Sequence, residues 1–98
     1  MKFKLMEKED YTILHLELEE NIAPEVLKEI EPPKVNTTKG VILSGRAPIW
    51  LYCFLTHCYH PTKFVATYDP RLGGAVVVET HCLDYKVGEV IELDLNEL

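Results

Sequence analysis

Arg46 and Arg71 are the only arginines in this chain of 98 residues, and each stands in a short turn behind an apolar, strand-like run. The first belongs to Ser44-Gly45-Arg46, between Gly-Val-Ile-Leu and a run opening at Pro48. The second belongs to Asp69-Pro70-Arg71, within HPTKFVATYDPRLGG. A guanidinium forks onto a phosphate, glycine permits a backbone with positive φ, and the start of a helix carries exposed amides and partial positive charge. Ser44 can donate to the same anion, so these residues predict a phosphate-handling site. Two blander readings stand beside it: Gly45 as a tight turn, and Asp69 with Arg71 as a surface ion pair.

His60 precedes Pro61 at a chain reversal, and the strand that follows leads to Asp69 and Arg71. Imidazole, carboxylate and guanidinium together supply what phosphodiester cleavage needs: proton transfer, placement of a metal or water, and charge stabilisation. His57 and His60, at i and i+3, share a helical face, where His57 also suits a helix C-terminus. Glu79, His81 and Asp84 form a second group of potential ligands, and Glu79 and His81 alternate onto one strand face. Carboxylate plus imidazole suits Mn2+. His15, inside an alternating strand, reads as a half-exposed sheet residue.

The elements that must position these groups follow from hydrophobic period and turn residues. Phe3 and Leu5, then Tyr11 to Leu18, predict two strands joined through Glu7 to Asp10 as a hairpin. Asn21 caps a short amphipathic helix with Pro24 in its first turn and Val26, Leu27 and Ile30 on one face; Pro32 and Pro33 end it. Gly40 to Leu43 is a central strand covered on both faces. A second helix begins at Pro48 and runs apolar all round, through Trp50, Tyr52 and Phe54, which predicts a core or subunit-contact helix. Phe64 to Tyr68 and Ala75 to Thr80 form another hairpin, Val90 to Leu95 an edge strand or docked tail with a frayed end. The order β-β-α-β-α-β-β, with a possible terminal β, predicts an α/β (α+β) sandwich. One mixed sheet would carry two helices, in a ferredoxin-like or reduced Rossmann-like arrangement, with three parallel strands in the middle.

Length predicts one domain over residues 1–98. No run reaches the roughly 18 apolar residues of a membrane span. The N-terminus lacks a secretory pattern, so a cytoplasmic, reducing location is expected, and Cys53, Cys58 and Cys82 are read as buried free thiols rather than a zinc site. The net charge of -6 is uneven: residues 1–39 carry -3, residues 40–88 carry +1 and residues 89–98 carry -4. Duplex DNA is therefore not expected as a ligand, because counterion release needs many phosphate contacts. A small phosphodiester needs only a few well-placed groups.

Residues 40–82, with their combined SGR-x-P, YHP and DPRLG elements, resemble the central block of a small stand-alone family of type III CRISPR systems. That family is known as a ring nuclease for cyclic tetra-adenylate and is also described as a manganese-dependent RNA deadenylase. The resemblance implies that His60, Asp69 and Arg71 serve cleavage, and that Ser44, Gly45 and Arg46 hold the adenylate ring. It also implies Mn2+, a homodimer, and a higher assembly with the ligand sandwiched between dimers; among the residues here Asp69, His60 and His81 are the candidate metal ligands. The competing readings are a metal-dependent 3′ exoribonuclease on linear RNA and a non-catalytic sensor of cyclic oligoadenylates.

Overall fold

Alternating apolar residues at the start of the chain fold as the expected hairpin: β1 (Lys2–Glu7) and β2 (Tyr11–Glu17) pair antiparallel, with Phe3 opposite Leu16 and Leu5 opposite Leu14. In the computed structural model, which describes residues 1–95, four further strands extend this hairpin in strict sequence order. They are β3 (Gly40–Ser44), β4 (Phe64–Asp69), β5 (Gly74–Thr80) and β6 (Val90–Glu92). β2, β3 and β4 run parallel, while β4, β5 and β6 are joined antiparallel. The result is the mixed sheet of an α+β protein, built on two strand-crossover-strand units. The end expected to fray falls on residues 96–98, outside the described residues.

The first crossover differs from the expected helix. Only a 3-10 turn forms, at Pro24–Lys28, with Ala23 at the N-cap and no side-chain cap bond, so Asn21 does not cap it. A segment this short and uncapped gains too little from its backbone bonds to offset helix nucleation. Its apolar residues Leu27 and Ile30 still pack against the core. The second crossover is a true helix, α1 (Ile49–Cys58), which follows Pro48 at the N-cap.

Both crossovers lie on one face of the sheet, where the 3-10 turn, Leu51, Leu55 and Tyr59 meet Leu14, Leu16, Val41, Leu43 and Val65. Two crossovers of the same hand, advancing in the same direction along a parallel sheet, must share a face. The opposite face holds Ile13, Ile42, Phe64, Ala66, Ala75 and Val77, and it is covered by later chain: the Tyr85 ring lies 4.3 Å from that of Phe64, and Leu93 and Leu95 pack nearby. Each fully buried aliphatic or Phe side chain here contributes about 1.5–3 kcal/mol. α1 has an apolar outer side as well, with Ile49 82% exposed and Cys53 exposed. All three cysteines are free, but Cys58 and Cys82 are only half-buried, because Cys58 is the last residue of α1 and Cys82 lies two residues beyond β5, outside either core layer.

Register shifts between Val65 and Ala66, whose partners are Glu79 and Val77, so Val78 is a bulged residue. The phase of β5 reverses across it. Before Val78, Ala75 and Val77 face the helix-free side; after it, Glu79 pairs with Val65 and turns to the helix side.

Candidate functional site

Parallel strands leave their carboxyl ends along one edge of a sheet, and ligand clefts form just outside them. Here that edge carries Leu18 after β2, Ser44-Gly45-Arg46 after β3, and Tyr68 to Arg71 at the end of β4. A cleft of about 850 Å³ opens there, lined by Gly45, Arg46, Pro48, Tyr52 and Tyr68, with Glu19 and Glu20 on its rim. A second lobe of about 580 Å³ lies across Arg46, lined by His15, Glu17, Leu18, Tyr68 and Pro70. The Arg46 guanidinium stands between the lobes, exposed and without a partner among the described residues.

The turn that presents Arg46 is tightly determined. Gly45 has φ 110°, and a Cβ there would lie 2.3 Å from the Leu16 carbonyl oxygen, so only glycine lets the chain leave β3 across the end of β2. The Tyr52 hydroxyl, from the first turns of α1, donates to the Gly45 carbonyl and pins the turn to the helix. Burial raises the Tyr52 phenol to about 12, so it stays a donor through neutral and mildly alkaline pH. Glu19 and Glu20 set a limit on the ligand: Glu19 is tied to Lys2 at 3.5 Å, and the acidic rim opposes a long polyanion.

Ser44 is placed differently from its expected role. It is fully buried, and its Oγ lies 2.8 Å from His15 Nδ1 across the β2–β3 ladder, where the two residues are register partners. A ligand in the cleft therefore meets Gly45 and Arg46 directly and Ser44 only through His15. His15 is the residue that sequence reasoning passed over. Its strand position was legible, but its partner depends on a parallel register that no local pattern reveals.

Asp69 and Arg71 close the same edge. The Asp69 carboxylate accepts from the Arg71 backbone N–H at 2.9 Å and from its guanidinium at 3.1 and 3.3 Å. That bond, with the added backbone contacts, holds the Asp69 carboxyl below the usual range. Arg71 is otherwise almost fully exposed, its side chain 89% accessible.

His60 stands at the other end of the molecule. α1 runs back along the sheet, so the reversal after it reaches the amino end of β4, about 16 Å from Asp69 at the rise of an extended strand. Within one chain His60 does not meet Asp69 or Arg71. It meets His81 and Glu79 instead: His60 Nδ1 is 3.3 Å from His81 Nε2 and 3.8 Å from Glu79, and His81 is 3.6 Å from Glu79. The bulge at Val78 brings this about, by turning Glu79 and His81 to the side on which His60 emerges.

Two imidazoles and one carboxylate, with ligand atoms all within 4.8 Å of one another, fit a divalent transition ion with open positions for substrate. Metal–ligand bonds of about 2.1 Å set neighbouring ligand atoms about 3.0–3.4 Å apart; the two imidazole nitrogens already stand at that spacing, and the Glu79 carboxylate would have to close in on them. The carboxylate of this set is Glu79 rather than Asp69. Asp84 does not join it and faces Lys63 at 3.6 Å, and His57 lies exposed on the last turn of α1.

Residues 15–92 match the model of the CRISPR-associated protein (Cas_csx3) family. The chain belongs to that family. The match takes in both edges of the sheet, from His15 to β6, so each residue group described above lies inside the family region. A protein of Aquifex aeolicus (strain VF5), described only as an uncharacterized protein, is 51% identical over an alignment of 88 residues that covers 86% of this chain and 79% of the relative.

Proposed function

We propose that this CRISPR-associated protein is a ring nuclease that binds cyclic tetra-adenylate and cleaves its phosphodiesters. The observation that carries the reading is the separation of two complementary groups on opposite edges of one sheet. Gly45, Arg46, Asp69 and Arg71 gather at the carboxyl edge; His60, Glu79 and His81 gather at the amino edge. A ligand sandwiched between copies would meet the carboxyl edge of one and the amino edge of another, so the site is completed by assembly. A closed ring with repeated phosphates suits this, because symmetric copies multiply the few cations each chain offers. The apolar outer side of α1, with Ile49 and Cys53 exposed, is the surface through which two copies would pair.

In this scheme the Gly45 amide and Arg46 hold one phosphate while Arg71, oriented by Asp69, stabilises the charge that develops on the phosphorane. Nδ1 of His60 faces His81, which leaves His60 Nε2 turned outward to take the proton of the attacking hydroxyl. His60 takes this role only with Nδ1 free of metal; a Mn2+ held by His60, Glu79 and His81 would instead supply Lewis-acid stabilisation of a phosphate oxygen and activate the nucleophile itself.

Incubating the purified protein with cyclic and linear oligoadenylates, in Mn2+ or in EDTA, tests the reading. Loss of the cyclic ligand with linear adenylate products is expected; intact but bound ligand would instead make the protein a sensor. A metal-dependent 3′ exoribonuclease is the second reading, favoured by the His60, Glu79 and His81 cluster being complete within one chain. It requires activity on linear RNA without higher assembly.

A further inference from the structure

Ser44 is fully buried at the end of β3, and its hydroxyl has one side-chain partner, His15 Nδ1, at 2.8 Å. A buried hydroxyl proton left without an acceptor is costly. The acceptor within reach of Ser44 is that ring nitrogen, so the hydroxyl donates to Nδ1 and the neutral imidazole carries its proton on Nε2. If Nδ1 held the proton instead, Ser44 would be left with an unpaired O–H inside the sheet. With Nδ1 turned inward, Nε2 is the nitrogen left for the cleft lobe that His15 lines beside Arg46, and it has no hydrogen-bond partner among the described residues. Lys4 stands opposite His15 on β1, and Glu17, two residues on, is taken up by Lys4 at 3.0 Å.

We propose that His15 is a ligand-binding residue: Ser44 fixes its tautomer so that Nε2–H donates to a phosphodiester oxygen held in the cleft next to Arg46. The inference rests on the reading of this cleft as an oligonucleotide phosphate site. It gives Ser44 a positioning role, carried through the imidazole.

The test measures binding of cyclic tetra-adenylate in EDTA by titration calorimetry, with urea unfolding as the fold control. A hydrogen bond to a charged acceptor corresponds to roughly 10- to 100-fold in affinity. His15→Ala should therefore weaken binding by roughly tenfold or more. His15→Gln, which keeps a terminal N–H donor, should recover most of the loss, and Ser44→Ala should weaken binding several-fold with His15 intact. A purely structural role predicts no rescue by glutamine. Unchanged affinity in His15→Ala, under conditions where Arg46→Ala abolishes binding, would overturn the proposal. Long-range nitrogen–proton NMR of the histidine ring provides a check independent of the ligand: the wild type should show the Nε2–H tautomer and Ser44→Ala a mixture. The Nδ1–H tautomer in the wild type also overturns it. If the wild type binds no oligoadenylate, the function reading falls by itself, and inorganic pyrophosphate becomes the probe. A pyrophosphate-induced shift of the His15 Nε2 resonance sustains the assignment, and its absence refutes it.

Discussion

Replacing Gly45 by alanine should damage the fold and the cleft together, and the size of the effect can be worked from the geometry. Two costs add. The backbone at φ 110° is one that an L residue occupies at a cost of about 1–3 kcal/mol. The new Cβ would also stand 2.3 Å from the carbonyl oxygen of Leu16, a backbone atom in a strand paired on both sides. Relief requires the end of β2 to move, and forced overpacking of this kind costs about 1–3 kcal/mol. The sum, about 2–6 kcal/mol, is a large part of the stability of a domain this size, about 5–15 kcal/mol. Gly73 provides the control: it too has positive φ, 63°, but an added Cβ meets nothing within 4 Å, so Gly73→Ala incurs the conformational cost alone. Urea unfolding followed by circular dichroism, with a slope of about 1–3 kcal/mol per molar, should place the Gly45→Ala midpoint roughly 1 M or more below wild type and clearly below Gly73→Ala. Equal midpoints for the two variants would show that the contact with Leu16 carries no energy and that the turn is not held as described.

Tyr52→Phe removes the donor to the Gly45 carbonyl and should cost about 1 kcal/mol in the same assay; the raised phenol predicts that the wild-type turn resists alkali until pH nears about 12, checked by ultraviolet titration of tyrosinate. Glu79→Gln should weaken Mn2+ binding by ~10-fold or more in calorimetry, since it removes the charged member of the triad, and unchanged affinity would rule out the cluster as the metal site. Asp69→Ala should lower single-turnover cleavage by ~10-fold or more without unfolding the chain, because it frees Arg71 from its set orientation. The depressed Asp69 carboxyl gives the sign of the acid response: its contribution is full above the unfolded value of about 3.9 and fades as pH falls through the lower folded value. An NMR titration of Asp69 should accordingly show the turn with Arg71 persisting well into mild acid. Thr12→Val should be neutral or stabilising by about 1 kcal/mol, because the Thr12 hydroxyl is buried without a partner among the described residues.

Periodicity and turn residues were enough to place five of the strands near their observed limits, because each has a two-residue alternation or a β-branched run between clear breakers. They overstated the segment from Asn21, where an apolar spacing of helical type sits on too few residues to nucleate. Local pattern also located both phosphate-suited turns, since glycine and arginine behind a strand have a meaning that needs no tertiary context. It did not show that His60 and Asp69 stand at opposite ends of β4, because nearness in sequence along an extended strand is distance in space. The partnership of His15 with Ser44 crosses 29 positions and depends on parallel register, which is set by the whole sheet.

The extra residue Val78 gives the fold an unusual genetic property. Side chains on a strand have only two orientations, so one inserted codon turns everything downstream to the other face unless a bulge absorbs it. With Val78 looped out, Glu79 falls opposite Val65 just as it would in a regular ladder where it followed Val77 directly, so Glu79 and His81 keep the side of His60 while Ala75 and Val77 keep theirs. The amino-edge cluster is thus insulated from a change of length at this point of β5. A lineage could gain or lose the Val78 codon without turning the cluster away from His60 or disturbing the core.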